Sequence, residues 1–158
     1  MRLGENLTMT LFGESHGNLV GALLEGVPAG LQIDEKRIAQ RMLTRRPGGH
    51  FASKRKEDDA VELLTGIHNG FTTGQPILIQ IRNKDARGKE YSFIPNHPRP
   101  GHQDLLMALR SGGYADLRGG GSSSARLTAG IVASAAIIEP LLGQIQICLL
   151  YTSPSPRD

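Results

Sequence analysis

With 158 residues, 39% of them hydrophobic, the chain is long enough to bury one sizeable core and fits one domain. A formal charge of +3 without a dense basic stripe or interleaved aromatics argues against a nucleic-acid surface. The single cysteine, Cys148, excludes an internal disulfide framework or a thiolate metal site.

Leu7 to Phe12 alternates polar and apolar residues at period two and predicts a half-buried strand. Gly13-Glu14-Ser15-His16-Gly17 breaks it, Leu19 to Val27 predicts a second strand, and Pro28-Ala29-Gly30 is expected to close the hairpin. Ser15 and His16 would then stand at the end of a sheet. GESHG also fits the G-x-S-x-G nucleophile elbow, with Ser15 as nucleophile and Asp85 and His102 as partners, but an elbow needs a helix next and NLVGALLEGV favours a strand. Asp34 is a good N-cap for a helix running to about Arg46. Ile38 and Met42 share its apolar face, and Arg45 falls in line with them, so it either snorkels across the core edge or reaches into a site. Lys36, Arg37 and Arg41 read as a solvated face. Eight of the eighteen Lys and Arg residues lie between Lys36 and Lys56, which points to a local anionic ligand.

Pro47-Gly48-Gly49-His50 ends that helix, and a basic loop at Lys54-Arg55-Lys56 leads to the acidic Glu57-Asp58-Asp59. Val61 to Ile67 and Pro76 to Ile81 predict strands joined across His68-Asn69-Gly70. Asn83 to Ser92 is a polar loop holding Asp85 and Arg87, and Gly101 to Ser111 predicts a short helix with His102 and Asp104 in its first turn. Gly119-Gly120-Gly121, Ser122-Ser123-Ser124 and Arg126 then precede a helix from Ala125 to Leu142. Glycines that turn backbone N–H groups inward, hydroxyls and a helix N-terminus together predict an anion-binding nest suited to phosphate. The alternative is a flexible Gly/Ser linker. Leu127 to Leu142 is interrupted by Thr128, Ser134 and Glu139 and reads as the buried helix of a soluble, cytoplasmic protein with no membrane span. From Cys148 the tail CLLYTSPSPRD carries two Ser-Pro pairs and looks like translated sequencing adapter, so residues 1–147 are expected to be the domain and 148–158 a non-native tail.

These motifs resemble those of the chorismate synthases, from about Leu3 to about Leu142. The resemblance rests on GESHG with Glu25-Gly26-Val27-Pro28, on Arg45-Arg46-Pro47-Gly48, on Thr72-Thr73-Gly74-Gln75-Pro76-Ile77, on Arg99-Pro100-Gly101-His102, and on Asp116-Leu117-Arg118-Gly119-Gly120-Gly121 with Ser123-Ser124-Ala125-Arg126, in that order. It implies an α+β fold, a layered β-α-β sandwich with helices between antiparallel sheets, assembled as a homotetramer. The family chain is more than twice this length, so an N-terminal part is expected here. The implied reaction is the anti-1,4-elimination of phosphate from 5-enolpyruvylshikimate 3-phosphate to give chorismate, on the shikimate pathway to aromatic amino acids, with reduced FMN and an NADPH link.

By the same resemblance His16 would protonate the reduced flavin and His102 would assist the departing phosphate. Ser15, Arg45 and Arg99 fall to substrate or NADP binding, and Ser122, Ser123, Ser124 and Arg126 to FMN. There are two departures. The family often has arginine where Ser122 stands, leaving Arg118 or Arg126 to compensate, and a family arginine after Pro47 falls near His50 or Phe51, with Lys54 or Arg55 as replacements. A serine hydrolase at Ser15 and a non-catalytic phosphate or flavin-binding module are the rival classes. The fragment alone is expected to be inactive.

Overall fold

The computed structural model describes residues 1–45, 58–84, 88–94 and 96–148. The Pro47–Lys56 loop, Asp85, Arg87 and the tail from residue 149 lie outside the described residues. In chain order the elements are β1 (Arg2–Leu3), β2 (Thr8–Gly13), β3 (Leu19–Glu25), α1 (Glu35–Thr44), β4 (Val61–Leu63), β5 (Ile67–His68), β6 (Phe71–Thr72), β7 (Ile77–Arg82), α2 (Asp104–Arg110) and α3 (Thr128–Ile138). Five strands form one antiparallel sheet in the order β1-β2-β3-β7-β4.

The period-two pattern turns one set of side chains to a common face. Val20 pairs with Ile81, Ala22 with Ile79 and Leu24 with Ile77, and all six are fully buried. Burying each large aliphatic side chain contributes about 1.5–3 kcal/mol, so these rows anchor the sheet. Helices α1 and α3 cover that face, with Ile38, Met42, Ala129, Ala133, Ala136 and Ile137 in the same core. Small residues let α3 lie close: a Cβ at Gly130 would stand 2.9 Å from the Gly21 carbonyl oxygen. The segment Ala125–Leu142 is apolar and long enough to pass for a membrane span, and its packing in this core accounts for that composition. The described residues thus supply one sheet and the helix layer of the layered α+β sandwich.

Asp34 caps α1 as expected, accepting the Arg37 N–H at 3.0 Å. Four local expectations need correction. The hairpin of β2 and β3 is closed by residues 14–18, whereas Gly30 donates to the Thr72 carbonyl and ties the next segment to β6. The strand expected from Val61 to Ile67 ends at Leu63, because the chain turns at Gly66 (φ +77), where a Cβ would stand 2.7 Å from the Pro76 carbonyl oxygen; β5 and β6 form a separate two-residue hairpin. His102 precedes α2 rather than lying within it, and the helix expected from Ala125 to Leu142 divides into a 3-10 turn, α3 and a second 3-10 turn containing Pro140.

Candidate active site

The turn between β2 and β3 holds Ser15 in the interior and His16 at its edge. Ser15 Oγ has three polar neighbours: the Arg118 carbonyl at 3.1 Å, the Gly119 carbonyl at 3.2 Å and His16 Nδ1 at 2.9 Å. Carbonyl oxygens only accept, so with the single hydroxyl proton directed at them we assign the His16 contact as Nδ1–H donating to Ser15 Oγ. His16 is therefore not a base for Ser15. With Ser15 only 1% exposed, the hydrolase reading fails on geometry as well as on the missing helix. The Ser15 N–H also donates to the Gly121 carbonyl at 3.1 Å, which clasps this turn to the glycine run.

His102 is held by the same logic from another loop. Its Nδ1 lies 2.6 Å from Asp104 Oδ1, while Arg99 Nε donates to Asp104 Oδ2 at 2.7 Å and Arg99 Nη2 to Oδ1 at 2.8 Å. Hydrogen bonds from Arg99 are the main cause that holds the Asp104 carboxyl far below the usual carboxylate range, against the opposing effect of burial. An ionised carboxylate only accepts, so His102 carries its proton on Nδ1 and presents Nε2. The 3.0 Å approach of Arg99 Nη2 to that nitrogen is then a by-product of two donors sharing Asp104. Tyr91 joins the two loops: its ring meets His16 edge-on at 4.7 Å, and the Arg99 guanidinium lies 5.6 Å from its centroid.

Two of the three glycines lie against the imidazoles. All three have positive φ (58°, 94° and 52°), and a Cβ on Gly119 would collide with the His16 ring. A Cβ on Gly120 would lie 3.4 Å from Cε1 and 3.7 Å from Nε2 of His102. The requirement for glycine thus has a separate cause at each position: the His16 ring at Gly119, the left-handed backbone at Gly120, and that backbone together with the Asp116 carbonyl oxygen, 2.0 Å from a Cβ, at Gly121. Immediately after them Ser122, Ser123 and Ser124 line a cleft of about 810 Å³ together with Glu14, Arg110 and Ser111, over an apolar floor that includes Leu11, Phe12, Leu127 and Ile131. One loop therefore faces the histidines at its start and the cleft at its end.

The remaining arginines lie elsewhere. Arg126 is 8% exposed, pairs with buried Asp59 and donates from Nε to Asn83 Oδ1 at 3.0 Å. Arg45 pairs with the other Asp59 oxygen and reaches Thr128 Oγ1 at 3.2 Å. Asp59 itself sits at φ 51°, a conformation a non-glycine residue keeps only when its surroundings hold it. Arg118 is engaged by Asp116, whose carboxyl is lowered chiefly by that pairing. Arg126 and Arg118 therefore do not stand in for an arginine at position 122. Among the described residues, the basic side chain on the cleft is Arg110, which the sequence reading missed because it resembles any basic residue in a last helical turn. Asn83, Asp59 and Tyr91 were missed too, having no motif to mark them.

The family model for chorismate synthase matches residues 7–153. A chorismate synthase of Aeropyrum pernix is 49% identical over 142 residues, covering 90% of this chain and 37% of that protein. One of Korarchaeum cryptofilum is 44% identical over 145 residues, covering 91% and 40%, and one of Methanocaldococcus jannaschii is 48% identical over 140 residues, covering 88% and 37%. A solved crystal structure of chorismate synthase superposes with a TM-score of 0.62 at 29% identity, covering 89% of this chain and 34% of its own. The chain thus spans about two fifths or less of the length of these relatives. With the histidine loops, the glycine run and the sheet-and-helix layering all in agreement, the chain belongs to the chorismate synthase family.

Proposed function

We propose that the protein this chain belongs to eliminates phosphate from 5-enolpyruvylshikimate 3-phosphate to form chorismate, using reduced FMN. The observation that carries the reading is that His16 and His102, from loops far apart in sequence, rest on consecutive glycines, each with Nδ1 tied by a buried partner. The cleft at the far end of the glycine-serine loop, which neither histidine lines, suits a flavin in kind: an apolar floor for a flat ring, and serine hydroxyls with Arg110 for its polar ends. When bound, reduced FMN supplies electron density to the substrate ring and takes up its proton.

The chain's own part is to hold protons and charge. With Nδ1–H donated to Ser15, His16 exchanges its mobile proton at Nε2, on the flavin side of the reaction. His102, oriented by Asp104, offers Nε2 to the leaving phosphate. Arg99, already spread across Asp104, adds positive charge on the phosphate side, and Ser122, Ser123 and Ser124 contact the flavin. Ser15, Arg45 and Arg126 act from within the fold, the first holding His16 and the other two balancing Asp59. NADP binding at Arg45 rests on the resemblance alone; loss of NADPH-dependent flavin reduction in Arg45→Ala would support it.

The deciding experiment is chorismate formation from 5-enolpyruvylshikimate 3-phosphate with photoreduced FMN, by the full-length protein carrying this segment. His16→Ala and His102→Ala should each lower kcat at least 100-fold, in line with loss of a positioned acid. Flavin binding with no turnover by the full-length protein would instead favour a binding module. The 158-residue chain alone should be inactive. We further read residues 1–147 as the family part and 148–158 as non-native, to be checked by resequencing the locus across Cys148, and place the full-length protein in the cytoplasm as a homotetramer without nucleic-acid or membrane partners, to be read by fractionation and sedimentation.

A further inference from the structure

We propose that Asn83, fixed by Arg126, is a positioning residue for His16; this rests on the reading of His16 as catalytic. Asn83 follows β7 directly and lies beside the His16 turn. Its Nδ2 donates to the Glu14 carbonyl at 3.0 Å and to the Gly17 carbonyl at 2.8 Å, which bracket Ser15 and His16, and its own N–H donates to the Asn18 carbonyl at 3.1 Å. A carboxamide could present either end to those carbonyls. Arg126 removes the choice: its Nε donates to Oδ1, so Nδ2, with its two hydrogens, must face the turn. Arg126 is itself immobile, because its Nη1 is paired with Asp59 in the interior.

The turn is therefore gripped from two sides. Ser15 holds it to the glycine run, and Asn83 holds it to the sheet and, through Arg126, to the buried ion cluster. Both grips are needed for a defined imidazole: the Ser15 bonds set which nitrogen carries the proton, and the Asn83 bonds set where the backbone carrying the ring stands. Asn83→Asp releases the second grip, and the displaced turn then loses the Ser15 contact that sets the tautomer. The variant keeps an acceptor for Arg126 and loses both donors to the turn.

The test is NMR on the full-length protein carrying this segment. In the unmutated protein both Asn83 Nδ2 protons should be protected from exchange, and the His16 ring nitrogens should show the Nδ1–H form. In Asn83→Asp the Ser15 and Gly17 amides should exchange at least tenfold faster and the His16 ring should move toward the Nε2–H form common in solution. The amides of Val20 and Ile79 should stay as they were. Uniform acceleration across the sheet, or no change at Ser15 and Gly17, would overturn the proposal. So would Asn83 Nδ2 protons that exchange like those of an exposed amide in the unmutated protein, a readout that stands even if the variant does not fold. Full activity of His16→Ala in the complete enzyme would instead refute the catalytic reading while leaving these exchange results intact.

Discussion

Nδ1 of exposed His102 lies 2.6 Å from Oδ1 of Asp104, a carboxylate only 1% exposed that also receives both the Nε and Nη2 groups of Arg99. The Arg99 backbone N–H donates to the same carboxylate at 3.0 Å, and a buried acceptor with four donors on it leaves the imidazole one tautomer. Asp104→Asn should therefore release His102 to a mixture of tautomers, visible in its ring nitrogen shifts. It should also lower unfolding free energy by about 1–3 kcal/mol, the usual cost of breaking buried hydrogen bonds to a charged group.

The same group sets an acid limit. Its folded pKa is depressed, so its contribution to stability is complete above the unfolded carboxylate value, near 3.9, and is lost as pH falls toward the lower folded value. Denaturation curves of the unmutated chain and of Asp104→Asn should stay a constant distance apart above about pH 5 and draw together below about pH 4. A gap that widens on acidification would contradict the assignment.

Gly119→Ala tests the seating of His16. The position has φ 58°, and the new methyl would enter the His16 ring. The left-handed backbone alone costs an alanine about 1–2 kcal/mol, so a drop in melting temperature is expected. In the full-length enzyme kcat should fall at least as far as in His16→Ala. Gly101→Ala has positive φ but open space around it, so it should carry the backbone cost without displacing a histidine.

Arg126→Ala leaves Asp59 with Arg45 as its remaining arginine partner among the described residues and empties a buried position. Removing one member of a buried ion pair costs about 3–5 kcal/mol. Arg126→Lys should recover part of it by keeping the charge while losing the Nε bond to Asn83. Urea denaturation separates the two variants.

Ser122 is exposed on the rim of the cleft. Ser122→Arg would place a guanidinium beside the neighbouring hydroxyls, and FMN affinity of the full-length protein, followed by fluorescence quenching, should rise about tenfold, equivalent to about 1.4 kcal/mol. An unchanged affinity would mean that the phosphate lies away from this rim.

Much of the framework was legible because its causes are local. TMTLFG and LVGALLE alternate as half-buried strands do, Asp34 caps α1, and the apolar run after Leu127 is helical because its residues are small or aliphatic and carry few side-chain polar groups. The strand from Val61 was overextended because nothing in its residues alone announces that Gly66 must pass tightly against the Pro76 carbonyl. The histidines could be picked out as reactive groups in loops, but the function of the triple glycine was only half visible: flexibility is a property of glycine, whereas the rings packed upon it come from elsewhere in the chain.

By itself, the sequence determined the strand and helix periodicity, the cap, and the ordered motifs that mark the family, since each depends on residues close together along the chain. Tertiary structure decided which arginines serve the interior and which face the cleft, and which nitrogen of each imidazole carries its proton. Those outcomes turn on partners such as Arg126 and Asp59, or Ser15 and Gly119, more than sixty residues apart. A hydrogen bond across that separation leaves no local pattern, because only the closed fold brings donor and acceptor within 3 Å or so.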